Sequence, residues 1–184
     1  MIPIIRLLQV LTMVVMFGVL PALGYNYVNR TAIMVINPAL IDQNKVNSML
    51  AWIADNSDYA VTNRKVDIRF ANDAYLQKRW VNSGGERGIK IAGLTQMLAN
   101  GHIIIYLQLN YNWNNQIDLT YLVHELVHFQ QYVYGTDYSE TCKDFSEFEA
   151  YTMALSWFRE QGFDDETFVN DRLKHITDLD TCSN

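Results

Sequence analysis

The sequence predicts an α+β fold: a small mixed sheet, then one long helix bearing the ionisable residues, then further C-terminal helices. Three patterns predict it. Residues 65–70 alternate Val66, Ile68 and Phe70, the period of a half-buried strand, and residues 89–94 and 102–109 add two more short apolar runs. Residues 119–134 repeat Leu119, Leu122, Leu126, Phe129 and Val133 at spacings of three and four, the period of a helix with one apolar face. Beyond them, residues 142–162 and 164–176 read as helices again.

Taken in order, residues 1–24 hold a single Arg6 and then an apolar run from Leu7 to Leu20, ended by Pro21 and the small residues Ala22 and Gly24. That is the form of a secretory signal peptide, and an uncleaved N-terminal membrane anchor is the other reading. Export to a periplasmic or secreted location follows from the first, and a membrane partner only from the second. Cys142 and Cys182 are the two cysteines of the chain, enough for one disulfide in an oxidising compartment. Closing that loop of about forty residues would contribute roughly 4 kcal/mol on a chain-entropy model. Two separate thiols are the alternative.

Residues 25–184 are expected to form a single domain, long enough for a real core. The chain carries 14 basic and 20 acidic residues, a formal charge of -6, which excludes nucleic acid as a natural partner. Residues 37–56 predict a scaffold helix burying Val46, Met49, Leu50 and Ile53. Residues 82–88, rich in glycine, predict a loop, and Asn100-Gly101 a turn between the second and third strands.

The helix over 119–134 carries the chemistry. His124, Glu125 and His128 form an H-E-x-x-H motif, and residues four apart lie on one helical face, so both imidazoles can reach one metal ion. Glu125 leans over the edge of that face as a general base for water. Asp118 is expected to cap the helix and Gly135 to stop it. Tyr121 and Gln131 share the polar front face. His102 reads as a strand-end residue.

A tetrahedral zinc site needs a third protein ligand. On a helix projected from Ser146, Glu147 falls among Phe148, Ala150, Tyr151, Ala154, Leu155, Trp157 and Phe158. A carboxylate centred on an apolar face calls for a metal or a buried cation. Glu147 is therefore the expected ligand, with a buried salt bridge to arginine or lysine as the other reading. Glu149 falls on the polar side with Thr152 and Arg159 and is the alternative third ligand.

With these residues in place, the chain resembles the gluzincins, H-E-x-x-H metallopeptidases whose third ligand is the Glu of an E-x-x-A-D type motif on a following helix. Glu147-Phe148-Glu149-Ala150 matches that motif, and Tyr151 stands where the family often has an aspartate that orients a histidine. Metzincins are excluded, because a third histidine would be due at Tyr134. The resemblance implies a zincin-like domain and a Zn2+-dependent peptidase, with His124, His128 and Glu147 on the metal and Glu125 as base. It also implies a peptide or protein substrate, added as a strand to residues 102–109 if that segment is an edge. Oxyanion or ligand-orienting roles fall to Tyr151, Tyr121, Tyr134 or His175. A non-catalytic zincin-like binding or structural domain is the competing expectation.

Overall fold

The computed structural model describes residues 31–88, 90–135 and 143–179. Residues 1–24, Cys142 and Cys182, on which the leader and the disulfide were expected, lie outside the described residues. No helix among the described residues is long and apolar enough to cross a membrane.

Chain order is β1 (Met34–Val35), α1 (Gln43–Asp55), β2 (Asp67–Ala71), α2 (Asp73–Asn82), β3 (Gly93–Met97), β4 (Ile103–Gln108), α3 (Gln116–Tyr134), α4 (Lys143–Glu160) and α5 (Glu166–Leu179). The four strands form one mixed sheet in the order β1-β2-β4-β3. β2 and β4 run parallel, and the two outer pairings are antiparallel.

The helix expected over 37–56 starts later. Pro38–Leu40 is a single 3-10 turn, and Asp42 caps α1 by accepting from the Lys45 amide at 3.2 Å. Its inner face is the expected one, with Val46, Met49, Leu50 and Ile53 all buried. α2 is an element the periodicity did not announce, because only Leu76 of its ten residues is buried. Its start is chemical rather than hydrophobic: Asn72 Oδ1 accepts from the Tyr75 amide at 3.0 Å.

The strand expected at 89–94 is displaced to Gly93–Met97. The turn decides this register. Gly101, at φ 78°, closes it, the Leu98 amide donates to His102 O at 2.8 Å, and Met97 is thereby set opposite Ile103.

β4 overturns the expectation that residues 102–109 offer a free edge. It is bonded to β2 on one side and β3 on the other. The uninterrupted run Ile103 to Leu107 is buried on both faces: Ile103, Ile105 and Leu107 pack toward the main core with α1, α3 and α4, while Ile104 and Tyr106 pack with Leu76 of α2. A strand covered on both faces has no polar side to alternate. The outer strand on this flank is β3.

α3 lies across the main-core face of the sheet, burying Leu119, Leu122, Val123, Leu126, Val127 and Phe129. Its N-cap is Asn115, which accepts from the Asp118 amide at 3.0 Å, so Asp118 sits inside the first turn and accepts from Asn112 N at 2.8 Å. Gly135 ends the helix in the left-handed region at φ 64°, as its position predicted. α4 packs along α3, with Ala150, Ala154, Trp157 and Phe158 buried. α5 then covers α4 through Phe168. Leu173 is 39% exposed, and Arg172 takes the inner place against the Tyr121, Tyr151 and Phe168 rings.

Candidate metal centre

α3 and α4 bring three side chains to one point. His124 and His128 stand one turn apart on α3, their Nε2 atoms 3.1 Å from each other. Glu147, in the second turn of α4, places Oε2 at 3.3 Å from His124 Nε2 and Oε1 at 3.4 Å from His128 Nε2. These three residues are the one group among the described residues with the ligand atoms to hold a metal ion, all within 4.8 Å of one another. Around a tetrahedral ion with bonds of roughly 2.0–2.1 Å, two ligand atoms sit about 3.3–3.4 Å apart. The observed triangle has that size, so the donor set fits the ion it implies.

Small residues allow the approach. Ala150 and Ala154 are buried where α4 meets α3, as the sequence suggested. Glu147 itself is not buried at the centre of an apolar face. Its side chain is 36% exposed and opens at the rim, and its ion-pair partners are the two imidazoles rather than an arginine or lysine.

The histidines are oriented unequally. His128 Nδ1 meets Gln131 Oε1 at 2.7 Å, and Gln131 Nε2 donates to Glu149 Oε2 at 2.9 Å and to Ser146 O at 3.0 Å. Tyr59 OH donates to the same Glu149 oxygen at 2.8 Å. With Nδ1–H given to Gln131, the His128 Nε2 lone pair faces the triangle. Glu149 is thus neither the third ligand nor a solvated residue. It buttresses His128 through Gln131. His124 has a ring contact instead: Tyr151 lies against it, ring centroids 4.3 Å apart and tilted by 51°, while His124 Nδ1 has no hydrogen-bond partner among the described residues.

Glu125 turns toward the sheet. It is 6% exposed, and Thr95 Oγ1 on β3 lies 2.7 Å from its Oε2 and 2.9 Å from its carbonyl. Gly93, on the same face of β3, provides the space: a Cβ there would stand 2.8 Å from Glu125 Cγ and Oε1.

Among the tyrosines, Tyr134 is turned away, its hydroxyl donating to Ala60 O at 2.9 Å. Tyr121 packs edge-on against Phe168 beneath Arg172. Tyr151 is at the site, its phenol pushed up to about 12 by burial and by Glu147. His175 is on α5, its side chain outside the described set, and His102 is engaged elsewhere, with Nε2 2.8 Å from Asp67 Oδ2. Sequence reasoning missed the parts played by Gly93, Thr95 and Tyr59, which lie far from the motif in sequence.

Charges within the triangle are strongly linked. Burial opposes a proton on His128, but the carboxylates of Glu147 and Glu125 and the Gln131 contact outweigh it and hold the imidazole up at about 9. Burial would raise Glu147, but the two histidines hold its carboxyl far below the usual range. Without metal, the His128 contribution to stability is complete below its ordinary 6.5 and lost as pH rises through about 9. The Glu147 contribution is present above its ordinary 4.5 and lost as pH falls well below it. A metal requires the neutral imidazole, so apparent metal affinity should fall as pH drops below about 9, by up to roughly tenfold per unit. Competitive metal titrations at several pH values, with proton release measured alongside, check this; a flat affinity from pH 7 to 9 refutes it.

The family model for a domain of unknown function, DUF6647, matches residues 38–170. No curated protein and no solved structure matches the chain.

Proposed function

We propose that this chain, which belongs to the DUF6647 family, is a zinc-dependent hydrolase with a zincin-like fold, and that it cleaves peptide bonds. The observation that carries the reading is the ligand triangle, of tetrahedral size, with a buried carboxylate one residue along the same helix. Zinc at such a site polarises a carbonyl and acidifies water.

The chain's own residues divide the remaining work. Glu125 accepts a proton from water and returns it to the leaving amine. Thr95 and the open space at Gly93 fix the carboxylate in one rotamer. Gln131 and Glu149 fix the tautomer of His128. A purely structural metal site needs no base held in this way, which favours catalysis over a binding or stabilising role.

The substrate assignment follows β3. Its backbone runs past Glu125, and only its β4 side is paired among the described residues, so an extended peptide added along the other side would pass the site. This replaces residues 102–109 as the strand that would receive it.

The test is metal content and amide hydrolysis of the purified chain beside Glu125→Gln. We expect near-stoichiometric zinc in both and hydrolysis only in the first, with a loss on the order of 10²-fold or more. Equal hydrolysis by the two proteins would remove Glu125 from the mechanism, and absence of zinc from the folded chain would remove the metal.

A further inference from the structure

The second ring nitrogen is provided for in His128 and not in His124. His128 Nδ1 meets Gln131 Oε1 at 2.7 Å, whereas His124 Nδ1 is buried with no hydrogen-bond partner among the described residues. The His124 side chain is 10% exposed, so water does not serve it from outside. With Nε2 turned to the triangle as a lone pair, the proton of the neutral ring is on Nδ1, and a buried N–H left unbonded is costly.

A second orphaned donor lies beside it. Arg172 of α5 lines the same small cavity as His124, with Tyr121, Tyr151 and Phe168 around them. Its side chain is 16% exposed, and its Nε is buried without a partner. Its ion pair is with Asp171, the preceding residue, whose side chain is 55% exposed and which does not line the cavity. Tyr151 joins the two donors: its ring centroid is 4.3 Å from that of His124 and 5.6 Å from Arg172 Cζ.

No carboxylate is among the residues that line this cavity. About 10 Å³ is left for the centre of a water-sized occupant, so one atom fits and a larger oxyanion does not. A water there would have to donate as well as accept. A halide only accepts, and it carries the charge that a buried guanidinium favours.

We propose that a halide ion binds between His124 Nδ1 and Arg172 Nε and orients His124 as Gln131 and Glu149 orient His128. Both N–H groups donate to the ion, which fixes the His124 tautomer and makes Nε2 the better metal ligand. Arg172 is a positioning residue, acting on the triangle through the ion and His124. By linkage, halide raises metal affinity by the factor by which metal raises halide affinity. The proposal rests on the metal reading of the triangle and not on hydrolysis.

The experiment measures zinc affinity of the full chain by chelator competition in sodium chloride, bromide and methanesulfonate at equal ionic strength, for wild type and Arg172→Gln. We expect wild type to bind zinc about 10–100-fold more tightly in either halide, saturably, and Arg172→Gln to bind equally in all three salts. In wild-type crystals grown with bromide, the anomalous signal should lie between His124 and Arg172, a readout that holds even if Arg172→Gln does not fold. Equal wild-type affinity in halide and methanesulfonate would overturn the proposal and leave the metal reading standing. So would bromide found at the triangle itself, or a halide response that survives in folded Arg172→Gln. Failure to bind zinc in any salt would overturn the metal reading and this proposal together.

Discussion

Glu147→Ala is expected to strip the chain of its metal, while Glu149→Ala should only loosen it. The two glutamates are one residue apart from being neighbours on α4, yet they serve different atoms. Glu147 supplies a corner of the ligand triangle, at 3.3 and 3.4 Å from the two Nε2 atoms. Removing it leaves two imidazoles, too few for a site that holds zinc through dialysis. Glu149 acts one step back, through Gln131, and losses at that distance are typically about 10–100-fold in affinity. Metal content after dialysis, with folding followed by circular dichroism, separates the two. Retention in Glu147→Ala, or an equal loss in both variants, would mean that the triangle is not the binding site.

The second large effect is expected from Gly93→Ala: hydrolysis lost by about 10²-fold with metal content unchanged. Gly93 has an ordinary strand backbone, so alanine brings no conformational strain there. Its methyl group, however, would lie 2.8 Å from Glu125 Cγ and Oε1 and 3.0 Å from Cδ, closer than carbon atoms pack. Either β3 shifts or the carboxylate leaves its bond to Thr95. Overpacking of this kind costs roughly 1–3 kcal/mol, small enough for the fold to survive. The ligands, on other elements, are untouched. Full activity in folded, metal-loaded Gly93→Ala would show that the position of Glu125 is immaterial.

The parts of this architecture that were legible in the sequence are those written in local periodicity. The buried face of α3 and the inner face of α1 follow from residues three and four apart, whereas Glu147, expected at the centre of an apolar face, lies at the rim and meets the histidines only through the packing of α4 on α3. The stop at Gly135 is also legible, because only a local conformation is at stake there. What was not legible depended on partners distant in the chain. α2 has a single buried side chain and no apolar period to read. The run Ile103 to Leu107 is equally consistent with an edge or a centre until the partners on both sides are known. Glu149 looked solvated because its partners, Tyr59 and Gln131, are contributed by other segments. Gly93 fell inside the strand expected at 89–94, and its significance is the carboxylate it leaves room for.

The division of the ligands between two helices has a kinetic consequence. His124 and His128 belong to α3 and Glu147 to α4; Gln131 of α3 is bonded to Glu149 of α4, and Glu149 in turn accepts from Tyr59. An ion held there escapes when α4 breathes away from α3, so its residence time reports how often the two helices part. In turn, a bound ion suppresses that opening and adds its binding free energy to the fold. The same joint that assembles the site therefore clocks the release of its occupant.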